Sequence, residues 1–332
     1  MSEVINVTRE LITIRNLRAY YKLDEGIDVK AVDGVSLELN EKEILGIAGE
    51  SGCGKSTLAS VLSFNINPPL YIKEGEIYID RKDVVNMSKE EIRKEIKGSI
   101  LSVVPQGAMN SLNPTQRVRR LIVDIMKEHY PEKEEEEILK EAKERAISLG
   151  LPERVLEAYP HQLSGGMKQR TIIMISTLLN PKILVADEPT SALDVSSQKS
   201  VIRMLVELTK KQIIQSVIFI THELPLLRHF TTRIAIMYAG KIVEIGPTED
   251  VIFKPMHPYT EALMASMLVP EPEMKARRVE GIPGVPPDLK NPPKGCRFAP
   301  RCSKDKKMKI CEEREPEVKS IGGRQIWCWR MQ

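Results

Sequence analysis

Short apolar runs and alternating stretches divide this chain into predicted strands. Leu11–Arg15 and Val35–Leu39 alternate apolar and polar residues at period two, which predicts strands with one buried face. Ile44–Ala48, Lys182–Asp187 and Ser216–Thr221 are almost uninterrupted apolar runs, which are typical of strands covered on both faces. The sequence therefore predicts a half-exposed sheet near the N-terminus and a buried sheet that recurs through the chain.

Helical periodicity predominates between residues 116 and 180. Glu134–Leu149 carries its apolar residues on one side, and its acidic start suits the positive N-terminus of a helix. Ser88–Glu91 fits a capping box and predicts a helix from Ser88 to Ile96. The chain is therefore predicted to be α/β, with a helical block inserted between two of its buried strands.

The strand Ile44–Ala48 leads directly into a phosphate-binding loop. Gly49–Thr57 contains the pattern G-x4-G-K-S between a strand and a helix, which is the context that a P-loop requires. Its glycines let successive N–H groups face phosphates, while Lys55 reaches the β- and γ-phosphates and Ser56 ligates Mg²⁺. We interpret Cys53 as a small space-filling residue; a redox-sensitive thiol is the alternative. The predicted nucleotide-binding residues are Gly49, Glu50, Ser51, Gly52, Cys53, Gly54, Lys55, Ser56 and Thr57.

Polar residues follow two of the other buried strands. Asp187 ends the strand at 182–187 and is placed to hold the Mg²⁺ shell, while Glu188 can polarise a water for attack on the γ-phosphate. His222 follows the strand Ser216–Thr221. A lone histidine is more often a surface residue, but its place at a strand end favours a role at the phosphates.

Ser164, Gly165 and Gly166 begin a second predicted anion site. The serine can cap the helix that follows, the glycines allow close approach, and the helix N-terminus carries partial positive charge. Many helices that begin this way bind nothing. The weight of this motif therefore comes from the P-loop upstream and the acidic pair downstream.

Composition indicates a folded protein of one large domain and an appendage. The chain has 332 residues and no apolar run of 18, and its first six residues lack the pattern of a signal peptide. The net charge of +3 is uneven, because residues 290–332 hold twelve Lys and Arg but five Asp and Glu. A basic tail can indicate nucleic acid or an anionic membrane. We favour a solvated tail whose charge offsets ligated thiolates.

Four of the five cysteines lie in that tail, at Cys296, Cys302, Cys311 and Cys328. Without an export signal we expect a reducing compartment, where disulfides are rare. The spacing lacks the C-x2-C pair of zinc ribbons, and ligation by four thiolates suits an iron–sulfur cluster or zinc. Residues 269–293 contain seven prolines and predict a linker or an irregular wrap.

In this order the motifs resemble the ATP-binding subunit of an ABC transporter, over about residues 8–330. The resemblance implies a P-loop NTPase core at 8–268 with an antiparallel β subdomain, a helical subdomain at about 107–180 and an irregular extension at 269–332. It implies an ATPase that works as a head-to-tail pair, in which the signature motif of one subunit closes over ATP held by the other.

The resemblance also assigns roles to single residues. The implied motifs are Walker A at Gly49–Ser56, the Q-loop Gln106, the signature Leu163–Met167, Walker B at Ile183–Asp187, the catalytic Glu188, the D-loop Ser191–Asp194 and the switch His222. The implied Mg²⁺ ligands are Ser56, Gln106 and Asp187. Tyr21 is the expected adenine-stacking residue, with Tyr20 as the alternative. Gln106 alone would pass for an ordinary polar strand end.

Four stretches narrow the resemblance to the oligopeptide and dipeptide importers, in the D type that pairs with an F-type paralogue. They are Tyr159–Met167, Met237–Gly240, His257–Thr260 and Gly295–Cys302. The resemblance implies import of peptides or related solutes such as oligosaccharides, two permease subunits, a solute-binding protein and a place on the cytoplasmic face of the membrane. In some relatives the cysteines bind a [4Fe–4S] cluster. We expect that cluster first, then zinc, then unligated or disulfide-forming cysteines.

A second class of function is an ABC ATPase that acts on nucleic acid or ribosomes. Such proteins usually carry two cassettes, whereas this chain has one Walker A and one signature motif. We therefore expect no nucleic-acid partner, and the subfamily motifs disfavour an exporter.

Overall fold

The structure is a computed structural model that describes residues 9–24, 26–266, 281–303 and 308–332. The chain divides into two compact units. One unit comprises Met1–Leu11, Asn40–Lys42 and Tyr78–Phe219, and the other Ile12–Leu39, Glu43–Ile77 and Ile220–Gln332. The predicted boundary at residue 268 and the first half of the proline-rich segment lie outside the described residues.

The unit with residues 220–332 begins with a sheet of long strands. These are β1 (Glu10–Lys22), β2 (Asp28–Asn40) and, after a short strand, β4 (Leu70–Ile79), in the order β2-β1-β4. The short strand β3 (Ile44–Ala48) is buried at all five residues and leads through the P-loop into helix α1 (Lys55–Leu62). A run without polar residues thus gives a fully buried strand, as predicted.

A second set of strands in this unit extends from β3. They are β9 (Arg233–Tyr238), β10 (Lys241–Pro247), β11 (Lys319–Ile321) and β12 (Arg324–Ile326), in the order β11-β12-β10-β9-β3. The pair β3–β9 is parallel, with Ala48 opposite Ile236, and β9 turns back into β10 at Ala239–Gly240. Because β10 pairs with β12, the C-terminal residues are part of this sheet.

Short helices connect these strands. They are α7 (Leu224–Leu227), α8 (Thr248–Phe253), α9 (Pro258–Ala265) and α10 (Ile310–Glu313), with 3₁₀ turns at Ala299–Arg301 and Trp329–Met331. His257 caps α9 by accepting the N–H of Tyr259 on Nδ1, at 3.0 Å. The buried residues Tyr259 and Leu263 fix α9 to the core of the unit.

The other unit has a parallel arrangement of buried strands. Beside the short β5 (Lys82–Asp83) these are β6 (Leu101–Val104), β7 (Ile183–Asp187) and β8 (Ser216–Ile220), in the order β8-β7-β6. The strands β6 and β7 are parallel, with Leu101 opposite Ile183. Every residue of β7 and β8 is buried, so both carboxyl ends emerge from the core.

Five helices belong to the same unit. They are α2 (Lys89–Glu91), α3 (Val118–His129), α4 (Glu135–Ser148), α5 (Gly165–Ser176) and α6 (Val195–Lys210), with 3₁₀ turns at Ala108–Asn110, Glu153–Val155 and Pro160–Gln162. Throughout the described ranges, every helix is too short or too polar to cross a lipid bilayer.

One predicted helix differs in form. The capping box of Ser88 and Glu91 is present, but α2 ends after three residues and a π-helix continues it over Ile92–Ile96. The N–H of Lys97 bonds to the carbonyl of Ile92 at 2.9 Å, five residues back. The wider turn places the apolar Ile96 in the core, and a period of 3.6 in the sequence cannot foresee one added residue per turn.

Candidate active site

The P-loop is shaped by close approach of its backbone to neighbouring strands. A Cβ at Gly49 would lie 2.1 Å from the carbonyl oxygen of Met237 on β9. Gly54 has φ of 106°, and a Cβ there would lie 2.0 Å from the carbonyl oxygen of Ala31 on β2. Side chains would clash at both positions, so the two ends of the G-x4-G pattern are required by packing as well as by phosphate access.

Lys55 is folded back over this loop. Its Nζ donates to the carbonyl oxygens of Gly49 at 2.8 Å and Glu50 at 2.9 Å, and the side chain is buried. Ser51, Gly52 and Ser56 are exposed around it. The loop therefore has solvent-exposed residues around a buried lysine ammonium, an arrangement that is suited to polyphosphate.

Cys53 lies on the inner side of the loop. It is 3% exposed, and burial raises the pKa of its thiol. Its carbonyl accepts the N–H of Gly240 at 2.8 Å, which ties the loop to the β9–β10 turn. These contacts favour the interpretation of Cys53 as a packing residue.

The two tyrosines proposed for adenine stacking have different surroundings. Tyr20 is 4% exposed and donates to Asp33 at 2.6 Å, so its ring belongs to the core. Tyr21 is half-exposed, and its hydroxyl lies 3.2 Å from that of Thr57 in the P-loop. The position of Tyr21 beside the loop favours it over Tyr20.

His222 comes two residues after the end of β8 and belongs to the unit of the P-loop, which includes the chain from Ile220 onward. It is exposed, between Thr221, whose N–H bonds to Ile47 at 3.1 Å, and Glu223, whose N–H bonds to the Thr221 hydroxyl at 3.0 Å. The first bond joins this segment to β3, the strand that ends at the P-loop. The backbone around the imidazole is therefore fixed while the ring stays accessible.

The acidic pair and the Q-loop glutamine come together in the other unit. Gln106 follows β6 and donates from Nε2 to Oε2 of Glu188 at 3.2 Å. Asp187, at the end of β7, is 5% exposed, whereas Glu188 is half-exposed with φ of 47°. A positive φ is costly for a glutamate, and such strain is concentrated at functional sites.

The D-loop and the signature motif both lie at helix starts. Asp194 caps α6 by accepting the N–H groups of Ser196 and Ser197, each at 3.0 Å, and the hydrogen bond from Ser197 lowers its pKa. Ser164 caps α5 by accepting the N–H of Met167 at 3.3 Å. Gly165 is exposed in the first turn, so the N-terminus of α5 is accessible to solvent, and its role as an anion site stays a prediction.

The predicted Mg²⁺ ligands are divided between the units. Ser56 belongs to the unit of the P-loop, and Gln106 and Asp187 belong to the unit of the signature motif. Their joint action in a magnesium site therefore stays a prediction.

The four C-terminal cysteines line one cavity of about 30 Å³, together with His257, Phe298 and Trp329. All four are free thiols. Burial raises the pKa of Cys296 to about 12 and also raises that of Cys328. In the described part of the chain, however, no three His, Cys, Asp or Glu residues are grouped closely enough to hold a metal ion.

The most consequential contacts missed by sequence reasoning reach Glu50 in the P-loop. Arg301 forms a two-pronged ion pair with its carboxylate, at 2.7 and 3.1 Å, and the Tyr259 hydroxyl accepts its N–H at 2.9 Å. Tyr259 and Arg301 lie in stretches that served only as subfamily markers. Nothing in their spacing indicates a contact with a loop more than 200 residues earlier.

Two protein families match this chain. Residues 32–191 match the ABC transporter family, and residues 243–311 match the C-terminal region of oligopeptide/dipeptide transporters. The first match spans the P-loop and the acidic pair, and the second spans α9 and three of the four cysteines.

Relatives match along most of their length. The dipeptide transport ATP-binding protein DppD of Caldanaerobacter subterraneus is 40% identical, over 94% of this chain and 94% of its own. The oligopeptide transport protein OppD of Bacillus subtilis is 42% identical, over 95% and 87% respectively. OppF of Salmonella typhimurium is 35% identical over 91% of both chains.

The fold has counterparts among solved structures. The dimeric ATP-binding cassette MJ0796, in a post-hydrolysis state bound to ADP and Pi, matches with a TM-score of 0.63 and 28% identity. The match covers 71% of this chain and 98% of the cassette. The predicted α/β ATPase architecture is therefore confirmed.

Proposed function

Because this chain belongs to the ABC transporter ATP-binding subunits of the oligopeptide and dipeptide branch, we propose that it powers peptide import through closure and reopening of an ATPase pair. It is an ATP-binding, ATP-hydrolysing subunit. Action on nucleic acid or ribosomes is not favoured, since these relatives are transport subunits. Among peptides and related solutes such as oligosaccharides, the relatives favour peptides.

The observation that carries the proposal is the P-loop with Lys55 at its centre. Residues 49–57 receive the phosphates, with Lys55 leaving its carbonyl partners for the β- and γ-phosphates. Tyr21 stacks on adenine. Ser56, Gln106 and Asp187 are the proposed holders of Mg²⁺, which when bound neutralises charge on the phosphates. Their oxygen donors match its preference for hard ligands.

Glu188 is the proposed general base. Its hydrogen bond from Gln106 orients the carboxylate, and its half-exposed position admits water. His222 is proposed to contact the γ-phosphate. The open start of α5 at Ser164–Gly166, with Asp194 at the start of α6, faces the ATP held by a second subunit.

Replacing the base tests this assignment. Glu188→Gln should lower kcat at least about a hundredfold, the scale of general-base catalysis, while ATP affinity stays near that of the wild type. Glu249→Gln is the control, since that side chain is exposed on α8. Normal turnover by the Glu188→Gln protein would remove Glu188 from this role, and failure of the wild type to bind ATP would refute the proposed site.

The partners are a second ATPase subunit, proposed to be an F-type paralogue, and two membrane permeases served by a solute-binding protein. The chain would then sit at the cytoplasmic face of the membrane. Co-purification of the tagged chain with a paralogue in ATP, but not in ADP, supports the pairing. A chain that forms only homodimers in ATP would replace the paralogue with a second copy.

The cysteines are proposed to hold a [4Fe–4S] cluster, with zinc as the alternative. Four thiols around one cavity are a suitable donor set, but they would have to lose protons and draw together, because they are not grouped as ligands here. The proposed role is structural.

Purification without oxygen tests which metal group the cysteines hold. An absorption band at roughly 400 nm, together with about four iron atoms per chain, supports the cluster. Stoichiometric zinc in colourless protein supports the alternative, and absence of both metals refutes the two. Cys296→Ser is expected to abolish the metal, whereas Cys53→Ser, outside the cavity, is the matched control.

A further inference from the structure

The C-terminal extension, residues 281–332 of the described chain, contacts the P-loop at one residue, Glu50. Arg301 donates from Nη1 to Oε2 of Glu50 at 2.7 Å and from Nη2 to Oε1 at 3.1 Å. The arginine side chain is 5% exposed and the glutamate side chain 25%. Paired, two-pronged contacts of this kind fix direction as well as distance, so the carboxylate has one orientation.

The backbone of Glu50 is held as well. Its N–H donates to the Tyr259 hydroxyl at 2.9 Å, and its carbonyl accepts from Lys55 at 2.9 Å. Lys55 is the residue proposed to reach the phosphates. The position of Glu50 therefore influences where the Lys55 ammonium lies and what conformation the backbone adopts at the start of the P-loop.

The groups that hold Glu50 are themselves rigidly placed. Arg301 also donates to the carbonyl of Pro283 at 2.8 Å and to the Tyr238 hydroxyl at 3.2 Å. The rings of Tyr238 and Tyr259 lie 4.5 Å apart, and Phe298 packs edge-on against each at 5.3 Å. Phe298 lines the cysteine cavity, and Cys302 directly follows Arg301. One packed cluster therefore joins the cavity to the loop.

We propose that Arg301 and Tyr259 are positioning residues for the P-loop. Through these residues the C-terminal extension sets the affinity of the loop for nucleotide. The proposal rests on the proposed function of the loop. Loss of the Arg301 contact releases the half-buried carboxylate of Glu50, the second residue of the loop, and lets that residue move. The movement weakens phosphate binding before any chemistry occurs.

The experiment measures MgADP binding by calorimetry and steady-state ATP hydrolysis on the full chain. Arg301→Met should raise the Kd for MgADP and the KM for ATP about tenfold, the low end of the factor for lost charge-assisted hydrogen bonds, because the two bonds act on the nucleotide only through the loop. At saturating ATP, kcat should stay within about twofold, because the chemical groups are untouched. Arg301→Lys keeps the positive charge but loses the planar, two-pronged guanidinium. Its Kd for MgADP should lie between those of the wild type and Arg301→Met.

Four further variants make the result specific. Glu50→Gln should weaken binding similarly, and the Arg301→Met/Glu50→Gln double variant should be no weaker than the poorer single variant. Tyr259→Phe removes one hydrogen bond and should raise Kd by a smaller factor. Arg324→Met is the matched control. Arg324 is a mostly buried arginine of the same extension that bonds to the Lys254 carbonyl at 2.6 Å and pairs with Glu244 at 3.8 Å rather than with Glu50.

A Kd for Arg301→Met within twofold of the wild type overturns the proposal, as does an equal rise for Arg324→Met. If Arg301→Met does not fold, Arg301→Lys and Tyr259→Phe decide by the same criteria. Cys302→Ser should raise the Kd for MgADP when it is made in the wild-type protein, but should not raise it further when it is added to Arg301→Met. If Cys302→Ser changes the Kd in neither protein, the proposed link between the cysteines and the P-loop is overturned. A wild-type protein that does not bind MgADP refutes the proposed function itself.

Discussion

Arg297 is expected to be the most costly single charge to remove from the extension. Its side chain is 3% exposed, and it forms an ion pair with Asp33 and donates to the carbonyl of Ala239. Asp33 also accepts from Tyr20 at 2.6 Å and Arg18 at 3.0 Å. Arg297→Met keeps the length of the side chain but leaves the carboxylate with fewer partners.

The magnitude follows from this burial. Breaking a buried ion pair costs about 3–5 kcal/mol, and the two remaining donors place this case near the lower end. Arg297→Met/Asp33→Asn removes both charges and should recover part of the loss. Arg15→Met is the control, since Arg15 is 67% exposed beside Glu76, and its loss should cost less than about 1 kcal/mol.

Urea unfolding followed by tryptophan fluorescence measures the effect. The only tryptophans, Trp327 and Trp329, lie in the same unit as Arg297, so they report its unfolding. A loss below about 1 kcal/mol at pH 7 would refute the reasoning, because so small a value belongs to exposed pairs.

The pH dependence of this variant has a definite sign. Burial pushes the pKa of Asp33 up, but the hydrogen bond from Tyr20 and the charges of Arg297, Lys241 and Arg18 outweigh it, so the pKa is lowered. A lowered pKa adds stability above the ordinary value of 3.8, and that stability is lost as the pH falls through the folded pKa. The gap between wild type and Arg297→Met should therefore shrink below about pH 4.

Two further predictions concern the same unit. Gly295→Ala would place a Cβ 2.3 Å from the Cys311 carbonyl oxygen, so it should lower the free energy of unfolding by about 1–3 kcal/mol. Gly281→Ala, with open space around the added Cβ, should leave thermal unfolding unchanged. Glu244 is fully buried, and burial raises its pKa although it accepts the N–H of His257 at 2.9 Å. A raised pKa adds stability that is lost as the pH rises from the ordinary value of 4.5. The stability advantage of wild type over Glu244→Gln should therefore narrow as the pH is raised above 4.5, and a widening would contradict this.

The local structure of the strands and helix starts at the candidate site was predictable from the sequence. Strands such as Ile183–Asp187 are fully buried because an uninterrupted apolar run can only be covered on both faces. Capping at Ser164 followed from its hydroxyl and the residues after it. These features depend on neighbours a few residues away, which a single sequence displays.

Contacts at long range could not be predicted in this way. Arg301 and Glu50 are 251 residues apart, and the charge pattern around either gives no sign of the other. The same holds for Arg297 and Asp33, 264 residues apart, because a basic residue in a basic tail is usually solvated. Their burial is decided by how β12 and the turn at Ala299–Arg301 are brought to β10 and the P-loop.

The sheet order explains why an apparent appendage can influence nucleotide binding. From β11 and β12 the hydrogen bonds pass to β10, then to β9 and to β3, whose carboxyl end is the P-loop. The extension therefore completes the edge of the sheet that carries the loop, and Arg301 and Arg297 fasten it there at Glu50 and Asp33. A chain cut before residue 281 would lose both contacts and the strand beside β10. We expect such a truncation to reduce nucleotide affinity even though residues 49–57, proposed to bind the phosphates, are all retained.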